Sequence, residues 1–347
     1  MKKLKVLSID GGGIRGIIPA VVLTQLEKKI QNKTGDPSAR LSDYFDLIVG
    51  SSVGGLITSL LLLPDKDNRP VYSASDILEL FLTRGKDIFK RDPLQSFKSF
   101  FTLCDELYSD KFFNSILNEY LGSTKLLALL KPALITAYDI ERRKPIFFRS
   151  HRAKHDRDYD FYLKDVVRST TAAPTYFEPA LIKSMSNNYY ALIDGGIFAN
   201  NPAMCGYVEA LEQGSLLPCI PSPENILFLS IGTGITSKAY LYKQFKNAGL
   251  TKWAKPLIEI IMTSSEETAH YQLTHIFKSH GFPENYLRIN IPLNSYDEKT
   301  FLMDNVKPEN INLLRNIGSE CALLFDEELE KFGENIIYKS PETSLLI

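Results

Sequence analysis

Short runs of Val, Ile and Leu alternate along the chain with longer stretches whose apolar residues recur at helical spacing. A strand covered on both faces gives a short continuous apolar run, whereas a surface helix keeps one apolar stripe. The short runs predict strands at Lys5–Ile9, Phe45–Val49, Ala133–Tyr138, Ile146–Arg149, Tyr189–Ile193, Ile226–Ile231 and Tyr286–Ile291. The longer stretches predict helices at Ile18–Gln31, Gly55–Leu63, Leu163–Thr171, Pro202–Gln213 and Pro308–Phe332. This order predicts an α/β fold with a mostly parallel central sheet covered by helices on both faces.

The segment 64–122 departs from this alternation, because its pattern is helical and rich in aromatic residues. These residues are Phe81, Phe89, Phe97, Phe100, Phe101, Tyr108, Phe112 and Phe113. Two interpretations stay open for this insertion over the sheet edge: the aromatic side chains belong to the core, or they form a lid that faces lipid. At the other end of the chain, the absence of a regular period from about Gly333 predicts a frayed tail.

Composition and charge weigh against several classes of protein. The 347 residues are 44% hydrophobic and 23% charged, with a net charge of -1, which is typical of a globular protein. Because no basic tail or stripe is present, binding to a nucleic-acid polymer has no electrostatic support. The uncharged run Leu47–Leu63 is shorter than the roughly 20 apolar residues needed to cross a bilayer. The apolar stretch after Lys5 stops at Asp10, too early for a signal peptide, so we expect a cytoplasmic protein.

The cysteines and histidines predict no metal site. Four cysteines and five histidines are present, but no CxxC pair occurs and no spacing between them suits a metal ion. Reduced thiols therefore fit the sequence best. We predict a protein without a metal or any other cofactor.

The strongest local motif is the pentapeptide Gly50-Ser51-Ser52-Val53-Gly54, which lies between a predicted strand and a predicted apolar helix. A GxSxG nucleophile elbow needs this strand–turn–helix setting, with glycines where the turn is too tight for side chains. Only Ser52 has glycines at both required positions, so Ser52 is the candidate nucleophile rather than Ser51. The following helix start favours negative charge that develops there. A purely structural turn is the alternative.

A second motif, Asp10–Gly16, places three consecutive glycines after the first predicted strand. Gly11, Gly13 and Gly16 satisfy GxGxxG, but a dinucleotide site needs a second strand that ends in an acidic residue, and the interval Thr24–Arg40 is a polar helix and loop with no apolar strand. Without a Lys-Ser/Thr after the glycines, the Walker pattern also fails. Consecutive glycine N–H groups at a helix start form an anion nest, and beside a nucleophile that nest is an oxyanion hole.

Arg15, in the same loop, has two interpretations. Its guanidinium reinforces the nest or binds a lipid phosphate, or it is a salt-bridged arginine at the surface. The sequence alone favours neither.

The third motif is Asp194-Gly195-Gly196, which closes the strand Tyr189–Ile193. An isolated Asp-Gly is usually a tight turn, yet the carboxyl end of a parallel strand is where α/β enzymes place catalytic groups. Asp10 also ends a strand before glycines, and the pattern does not choose between the two aspartates.

A hydrolytic serine needs a base, and the residues leave two arrangements open. His270, His275 and His280 follow in the Ser…Asp…His order of α/β-hydrolases. A Ser–Asp dyad is the other arrangement. A carboxylate with a pKa of roughly 4 is a weak base, but desolvation raises its basicity.

Taken together, the ordered motifs resemble the patatin-like phospholipase family. The resembling stretches are 10–16, 50–55 and 194–196, supported by Leu134–Asp139, Ser169–Phe177 and Leu229–Gly234. The resemblance implies a three-layer, α/β-hydrolase-related sandwich in one domain over residues 1–320, containing the 64–122 insertion. Residues 321–347 would then form the end of the last helix and a tail.

The same resemblance implies a phospholipase A-type acyl hydrolase without a metal. The family's Ser–Asp dyad falls on Ser52 and Asp194, and its oxyanion donors fall on the main chain of Gly11, Gly12 and Gly13. Ser51 and Val53 stand where many members have threonines, so the resemblance leaves the preferred lipid open.

Partners and location also follow from the resemblance. It implies a membrane lipid as substrate and a peripheral position at membranes. Similarity to bacterial members adds an activating cyclic nucleotide or protein partner, or secretion into a host, as alternatives. Two other classes remain: a His-dependent esterase acting on soluble esters, and a catalytically silent binding or storage protein on the same fold.

Overall fold

The sheet has the predicted composition of mostly parallel strands. A computed structural model of the chain describes residues 3–89, 108, 110–213, 221–235, 239–294, 296 and 302–337. Its strands are β1 (Leu4–Ile9), β2 (Leu47–Ser51), β3 (Ala133–Asp139), β4 (Lys144–Arg149), β5 (Ala180–Lys183), β6 (Tyr189–Asp194), β7 (Ile226–Ile231) and β8 (Tyr286–Ile289). They form one eight-stranded sheet in the order β5-β6-β3-β2-β1-β7-β8, with β4 paired to β3. The strands β3, β2, β1, β7 and β8 run parallel, whereas β4, β5 and β6 join through antiparallel pairs.

All seven predicted strands correspond to strands of this sheet, and the eighth, β5, was missed. Along β5 buried and exposed residues alternate, and Leu181 is 70% exposed. An edge strand of four residues with one wet face gives no continuous apolar run, which is why the pattern did not reveal it. β8 ends at Ile289, two residues earlier than predicted.

The helices of the described residues cover both faces of the sheet. They are α1 (Ile17–Thr34), α2 (Val53–Leu61), α3 (Ala74–Ile88), α4 (Asp110–Leu121), α5 (Ser150–Ala153), α6 (Leu163–Thr170), α7 (Gly196–Ala199), α8 (Ala203–Gln213), α9 (Tyr242–Phe245), α10 (Leu250–Ser279), α11 (Pro308–Leu324) and α12 (Asp326–Ile337). Alternate strand residues separate two cores. Leu7 and Ile9 of β1 join the core under α1 and α11, whereas Val6 joins the core under α8 and α10. The predicted α/β fold with helices on both faces is confirmed.

The prediction of a single long helix near the C-terminus is wrong. The stretch Pro308–Phe332 is not one helix, because α11 ends at Leu324 with Phe325 as its C-cap and α12 begins at Asp326. Gly333, where a tail was expected, is buried inside α12 with Leu26 of α1 as its nearest neighbour. This glycine therefore lies within the helix and does not mark its end.

The described part of the segment 64–122 is helical, as predicted, and contributes α3 and α4. Phe81 and Phe113 are almost completely buried. Tyr108 is also buried, with its ring centroid 5.8 Å from that of Phe177. Phe97, Phe100 and Phe101 lie outside the described residues. Whether this region moves as a lid stays a prediction.

The uncharged run Leu47–Leu63 folds into β2 and α2 with a sharp turn between them. The run is buried throughout, which accounts for its lack of charge. Among the helices that the structure describes, none combines the length and the apolar character required to pass through a bilayer.

The contact between α1 and α11 depends on a glycine, and this generates a first prediction. A Cβ atom at Gly318 would lie 2.9 Å from the Cβ of Val21 and 3.3 Å from the Cα of Ile18. Gly318→Val should therefore lower the free energy of unfolding by about 1–3 kcal/mol through overpacking. Urea denaturation followed by circular dichroism would measure it. Ser319→Val, on the exposed side of the same helix, is the matched control, and equal losses in both variants would contradict the packing argument.

Candidate active site

The turn between β2 and α2 fixes Ser52 because its neighbours have no side chains. A Cβ at Gly50 would lie 2.3 Å from the carbonyl oxygen of Gly54, and a Cβ at Gly54 would lie 2.1 Å from that of Ile9. Both contacts are closer than real Cβ atoms approach, so only glycine fits at either position. The predicted strand–turn–helix elbow is therefore present, with Ser52 at its apex.

Ser52 itself adopts a strained main-chain conformation, with φ 53° and ψ −124°. Residues other than glycine rarely adopt positive φ, and such strain persists only where the surroundings enforce it. One enforcing contact is the Ser52 N–H, which donates to Oγ1 of Thr170 at 2.8 Å. One residue earlier, Oγ1 of Thr136 donates to Oγ of Ser51 at 3.0 Å.

The register of β3 brings Ser52 and Asp194 together. Along its first half β3 pairs with β2, and Ser51 lies opposite Thr136. Along its second half β3 pairs with β6, and Asp194 lies opposite Ala137. Because β6 runs antiparallel to β3, the carboxyl ends of β2 and β6 meet head to head. The sequence interpretation placed Asp194 at the end of a parallel strand, and the structure corrects this: β6 is antiparallel.

Ser52 and Asp194 form a direct, buried hydrogen bond. The Ser52 hydroxyl donates to Oδ2 of Asp194 at 2.6 Å, and the Gly196 N–H donates to Oδ1 at 2.7 Å. Ser52 is 6% exposed and Asp194 is 1% exposed. Burial raises the pKa of Asp194 to about 7, against the opposing effect of these two hydrogen bonds. The carboxyl group is thus far more basic than an aspartate in water.

Asp10, the other aspartate that ends a strand before glycines, is engaged elsewhere. Its two carboxylate oxygens accept bonds from Nη1 and Nη2 of Arg288 at 3.0 and 2.6 Å. Nη2 of Arg288 also donates to Glu266 at 2.8 Å. Although burial works against the charge of Arg288, the two carboxylates raise its pKa above the usual range. Sequence reasoning missed Arg288 and Glu266, because neither belongs to a recognisable motif.

The three histidines of the triad alternative make their described contacts away from this pair. Nδ1 of His270 lies 3.1 Å from the hydroxyl of Tyr286. The ring of His275 packs on that of Tyr271, with 4.4 Å between centroids. Nδ1 of His280 lies 2.8 Å from the main-chain carbonyl one turn earlier in the helix. Both described partners of the aspartate are accounted for without a histidine.

The glycine loop lies beside the serine, but its N–H groups are not equivalent. Gly11 donates its N–H to the carbonyl of Asn200 at 2.9 Å, so this donor is already engaged. The N–H groups of Gly12 and Gly13 have no acceptor among the described residues. Gly13 has φ 59° and borders the same cleft as Ser52. Of the three glycines, only Gly11 thus has an acceptor for its N–H among the described residues.

Arg15 is buried, so the interpretation as a surface arginine is wrong. Its guanidinium points to main-chain carbonyls, with Nε 3.5 Å from Gly12 O and Nη1 3.4 Å from Gly234 O. Burial lowers the pKa of Arg15, while nearby acidic groups, Glu266 first among them, oppose this effect. Arg15 is not among the described residues that line the cleft, and its two carbonyl contacts join the glycine loop to Gly234.

Ser52, Asp194 and Gly13 open into a cleft with about 570 Å³ of empty space, counting its mouth. Its walls are formed mainly by Val53, Leu56, Phe81, Ile88, Phe89, Phe113, Ala173, Tyr176, Phe177, Met262 and Met303. Such a cleft suits a long apolar group with a single polar centre at the serine. Within the described ranges, no group of three or more His, Cys, Asp or Glu side chains is placed to hold a metal ion.

The fold and this geometry define an α/β protein with a buried Ser–Asp pair at the base of an apolar cleft. The family model for patatin-like phospholipase matches residues 7–205, a range that contains the elbow, the glycine loop and Asp194. The chain belongs to the patatin-like phospholipase family. This membership supports a lipid acyl hydrolase activity in general terms.

Plant proteins are among the relatives. Patatin-like protein 4 of Arabidopsis thaliana is 33% identical over 332 residues, covering 91% of this chain and 82% of the relative. Patatin-like protein 2 of the same plant is 35% identical over 335 residues, with the same coverage. Probable inactive patatin-3-Kuras 1 of Solanum tuberosum is 33% identical and covers 90% of this chain and 84% of the relative.

The Asp10–Arg288–Glu266 cluster generates a second prediction. Arg288→Met removes the guanidinium and leaves two carboxylates buried without their cation, which should lower the free energy of unfolding by about 3–5 kcal/mol. Arg69→Met is the matched control, because Arg69 pairs with Asp43 at 2.7 Å on the surface. That change should cost at most about 1 kcal/mol. Denaturant titration of both variants would measure these losses. Equal losses of unfolding free energy would mean that the buried ion pair contributes no more to stability than the surface pair.

Proposed function

We propose that this protein hydrolyses fatty-acyl esters of membrane lipids, with Ser52 as nucleophile and Asp194 as general base. The observation that carries this proposal is the 2.6 Å hydrogen bond from the Ser52 hydroxyl to the Asp194 carboxylate. A nucleophile within hydrogen-bond reach of its base is the geometric requirement for covalent catalysis of this kind.

The reaction follows in two halves. Asp194 takes the Ser52 proton as Oγ attacks the ester carbonyl carbon, and the negative charge on the carbonyl oxygen faces the free N–H groups of Gly12 and Gly13. The tetrahedral intermediate collapses as Asp194 returns the proton to the leaving alcohol, which leaves an acyl-Ser52 ester. Water then gives a proton to Asp194 and attacks the acyl carbon. Collapse of this second intermediate returns the proton to Ser52 and releases the fatty acid.

The environment of Asp194 supports its role as a base. General-base catalysis is most effective when the pKa of the base is near the working pH, and burial raises the pKa of Asp194 to about 7. The Gly196 N–H holds the second carboxylate oxygen, which keeps Oδ2 aimed at the serine. In this proposal the Asp194 carboxylate is basic enough to take the Ser52 proton without a histidine between them.

The cleft supports a fatty-acyl substrate. Its walls are aliphatic and aromatic, and its polar groups are concentrated at Ser52, Asp194 and the glycine loop. Phe81, Ile88, Phe89 and Phe113 come from the segment 64–122, so a movement of that segment would change access to the serine. The substrate in this proposal is a membrane lipid. Control by a cyclic nucleotide or a protein partner, and the location of the protein, stay predictions.

A third prediction tests the proposed pair. Ser52→Ala and Asp194→Asn should each lower kcat/KM for a chromogenic acyl ester by at least about 10³-fold, because the nucleophile and its base act as a unit. Ser51→Ala is the matched control, since it alters the neighbouring serine of the same elbow and should retain most activity. Circular dichroism should show that all three variants remain folded.

The same assay separates the dyad from its alternatives. His270→Ala and His275→Ala should leave kcat/KM within a few-fold of the wild type. A loss at either histidine as large as that of Asp194→Asn would replace the dyad by a triad. No turnover by the wild type on any ester, soluble or in vesicles, would favour a silent binding protein on this fold.

A fourth prediction follows from the raised pKa of Asp194. Only the ionised carboxylate accepts the serine proton, so kcat/KM for a soluble ester should rise with pH through about 7 and then level off. The folded state holds this proton more tightly than the unfolded chain. The contribution of Asp194 to stability should therefore fall as the pH rises from about 4 to about 7. Asp194→Asn should weaken the pH dependence of stability and leave the part due to Asp10, whose pKa burial also raises to about 7. A rate profile that stays flat across this range would exclude Asp194 as the titrating base.

A further inference from the structure

One part of the surface combines exposed apolar side chains with positive charge. Leu241 is 57% exposed and Tyr242 is 73% exposed, and from the first half of α10 Leu257 and Ile260 are 48% and 37% exposed. Ile261, the next residue, is also 37% exposed. Leu257, Ile260 and Ile261 have the i, i+3, i+4 spacing that places them on one side of the helix. We call this region, from Leu241 to Ile261, the 241–261 surface.

This surface rests on an aromatic cluster. The ring of Phe245 lies 5.4 Å from that of Tyr240 and 4.7 Å from that of Trp253, measured between centroids. The Tyr240 hydroxyl donates a hydrogen bond to Glu259. These contacts fasten the segment with Leu241 and Tyr242 to α10, so the exposed apolar groups belong to one surface.

The charge of this surface is predominantly positive. Between Ala239 and Ile258 the sequence has four lysines and no acidic residue, although the whole chain carries a net charge of -1. Lys243, Lys246 and Lys252 are exposed. Lys243 and Lys246 form no ion pair with any described residue. The nearest acidic residue along the helix, Glu259, is occupied by Tyr240.

Helix α10 carries part of the 241–261 surface and also forms part of the wall of the proposed catalytic cleft. Met262, the residue directly after Ile261, is buried and lines the cleft together with Ser52. At about 100° per residue, Met262 lies roughly 150° around the helix from the middle of the side that carries Leu257, Ile260 and Ile261. One side of the helix therefore contributes to the cleft, and another side contributes to the exposed surface.

We propose that the 241–261 surface docks the protein on an anionic lipid bilayer. This inference rests on the proposed function, since it names the surface that would hold the protein on the membrane that contains its substrate. Exposed Leu, Ile and Tyr insert at the level of the headgroups, while lysines beside them pair with anionic lipids. A second copy of the chain fits less well, because a two-fold contact would bring this lysine-rich surface against itself.

Binding is measured separately from catalysis. The Ser52→Ala protein, which should not consume the lipid, is mixed with vesicles of phosphatidylcholine alone or of phosphatidylcholine with phosphatidylserine, and the bound fraction is found by sedimentation. Binding should require phosphatidylserine. It should weaken as salt rises from about 0.1 M to about 1 M, because the screening length falls from about 10 Å to about 3 Å.

Two pairs of substitutions test the residues in this Ser52→Ala background. Lys243→Gln with Lys246→Gln should weaken binding about 30-fold, which corresponds to about 1 kcal/mol for each lysine. Leu241→Ser with Tyr242→Ser should weaken binding about 10-fold or more.

Each pair of substitutions has a matched control. Lys28→Gln with Lys331→Gln changes two exposed lysines on α1 and α12, and Leu323→Ser with Leu324→Ser changes two adjacent exposed leucines. Both control pairs should bind as the parent does.

The outcomes separate this proposal from the proposed function. With Ser52 restored, both 241–261 pairs should hydrolyse a short soluble ester at the wild-type rate and lose activity only on anionic vesicles. Equal binding to both kinds of vesicle, or equal weakening by the control pairs, would overturn the docking surface. So would concentration-dependent dimers, seen by light scattering, that the substitutions at 241–242 abolish. Wild-type protein that binds anionic vesicles but hydrolyses no ester would contradict the proposed function and leave the docking surface in place.

Discussion

The site depends on one constraint in the sheet: the single edge of β3 that β2 and β6 share. The first half of β3 pairs with β2 and the second half with β6, so Ser51 and Asp194 lie opposite the adjacent residues Thr136 and Ala137. The short hydrogen bond between Ser52 and Asp194 follows from this register together with the elbow. Backbone pairing thus places two residues that are 142 positions apart in the sequence within bonding distance.

A second layer of polar contacts stabilises the loop beside the serine. Arg288 bridges Asp10 and Glu266, Glu266 approaches the side chain of Asn200 at 3.5 Å, and the carbonyl of Asn200 accepts the Gly11 N–H. The chain of contacts fixes the start of the glycine loop, and the next two N–H groups have no acceptor among the described residues. Buried charges hold the main chain here, whereas the cleft itself is left apolar for its proposed acyl group.

The sequence predicted those parts of the fold that leave a local pattern. Buried strands gave apolar runs, and the elbow gave its glycines, because close main-chain approach at Gly50 and Gly54 tolerates no side chain. β5 was missed since half of it is exposed, and the break at Phe325 was missed since both flanking helices continue the same apolar period.

For the site, the motif residues Ser52 and Asp194 were named from the sequence, and the structure brings them together. Arg288 and Glu266 could not be found, because their pairing with Asp10 is a property of distant packing.

The shared edge of β3 also decides where this chain tolerates changes in length. Insertion of one residue in the second half of β3 or within β6 would turn the Asp194 side chain to the opposite face of the sheet, because side chains alternate along a strand. The same insertion in the turn after Asp139, or in the one between β5 and β6, would leave the pairing of Ala137 with Asp194 unchanged. Natural and engineered length variation compatible with the Ser–Asp pair should therefore be confined to the turns, and these strands are poor sites for circular permutation or tag insertion.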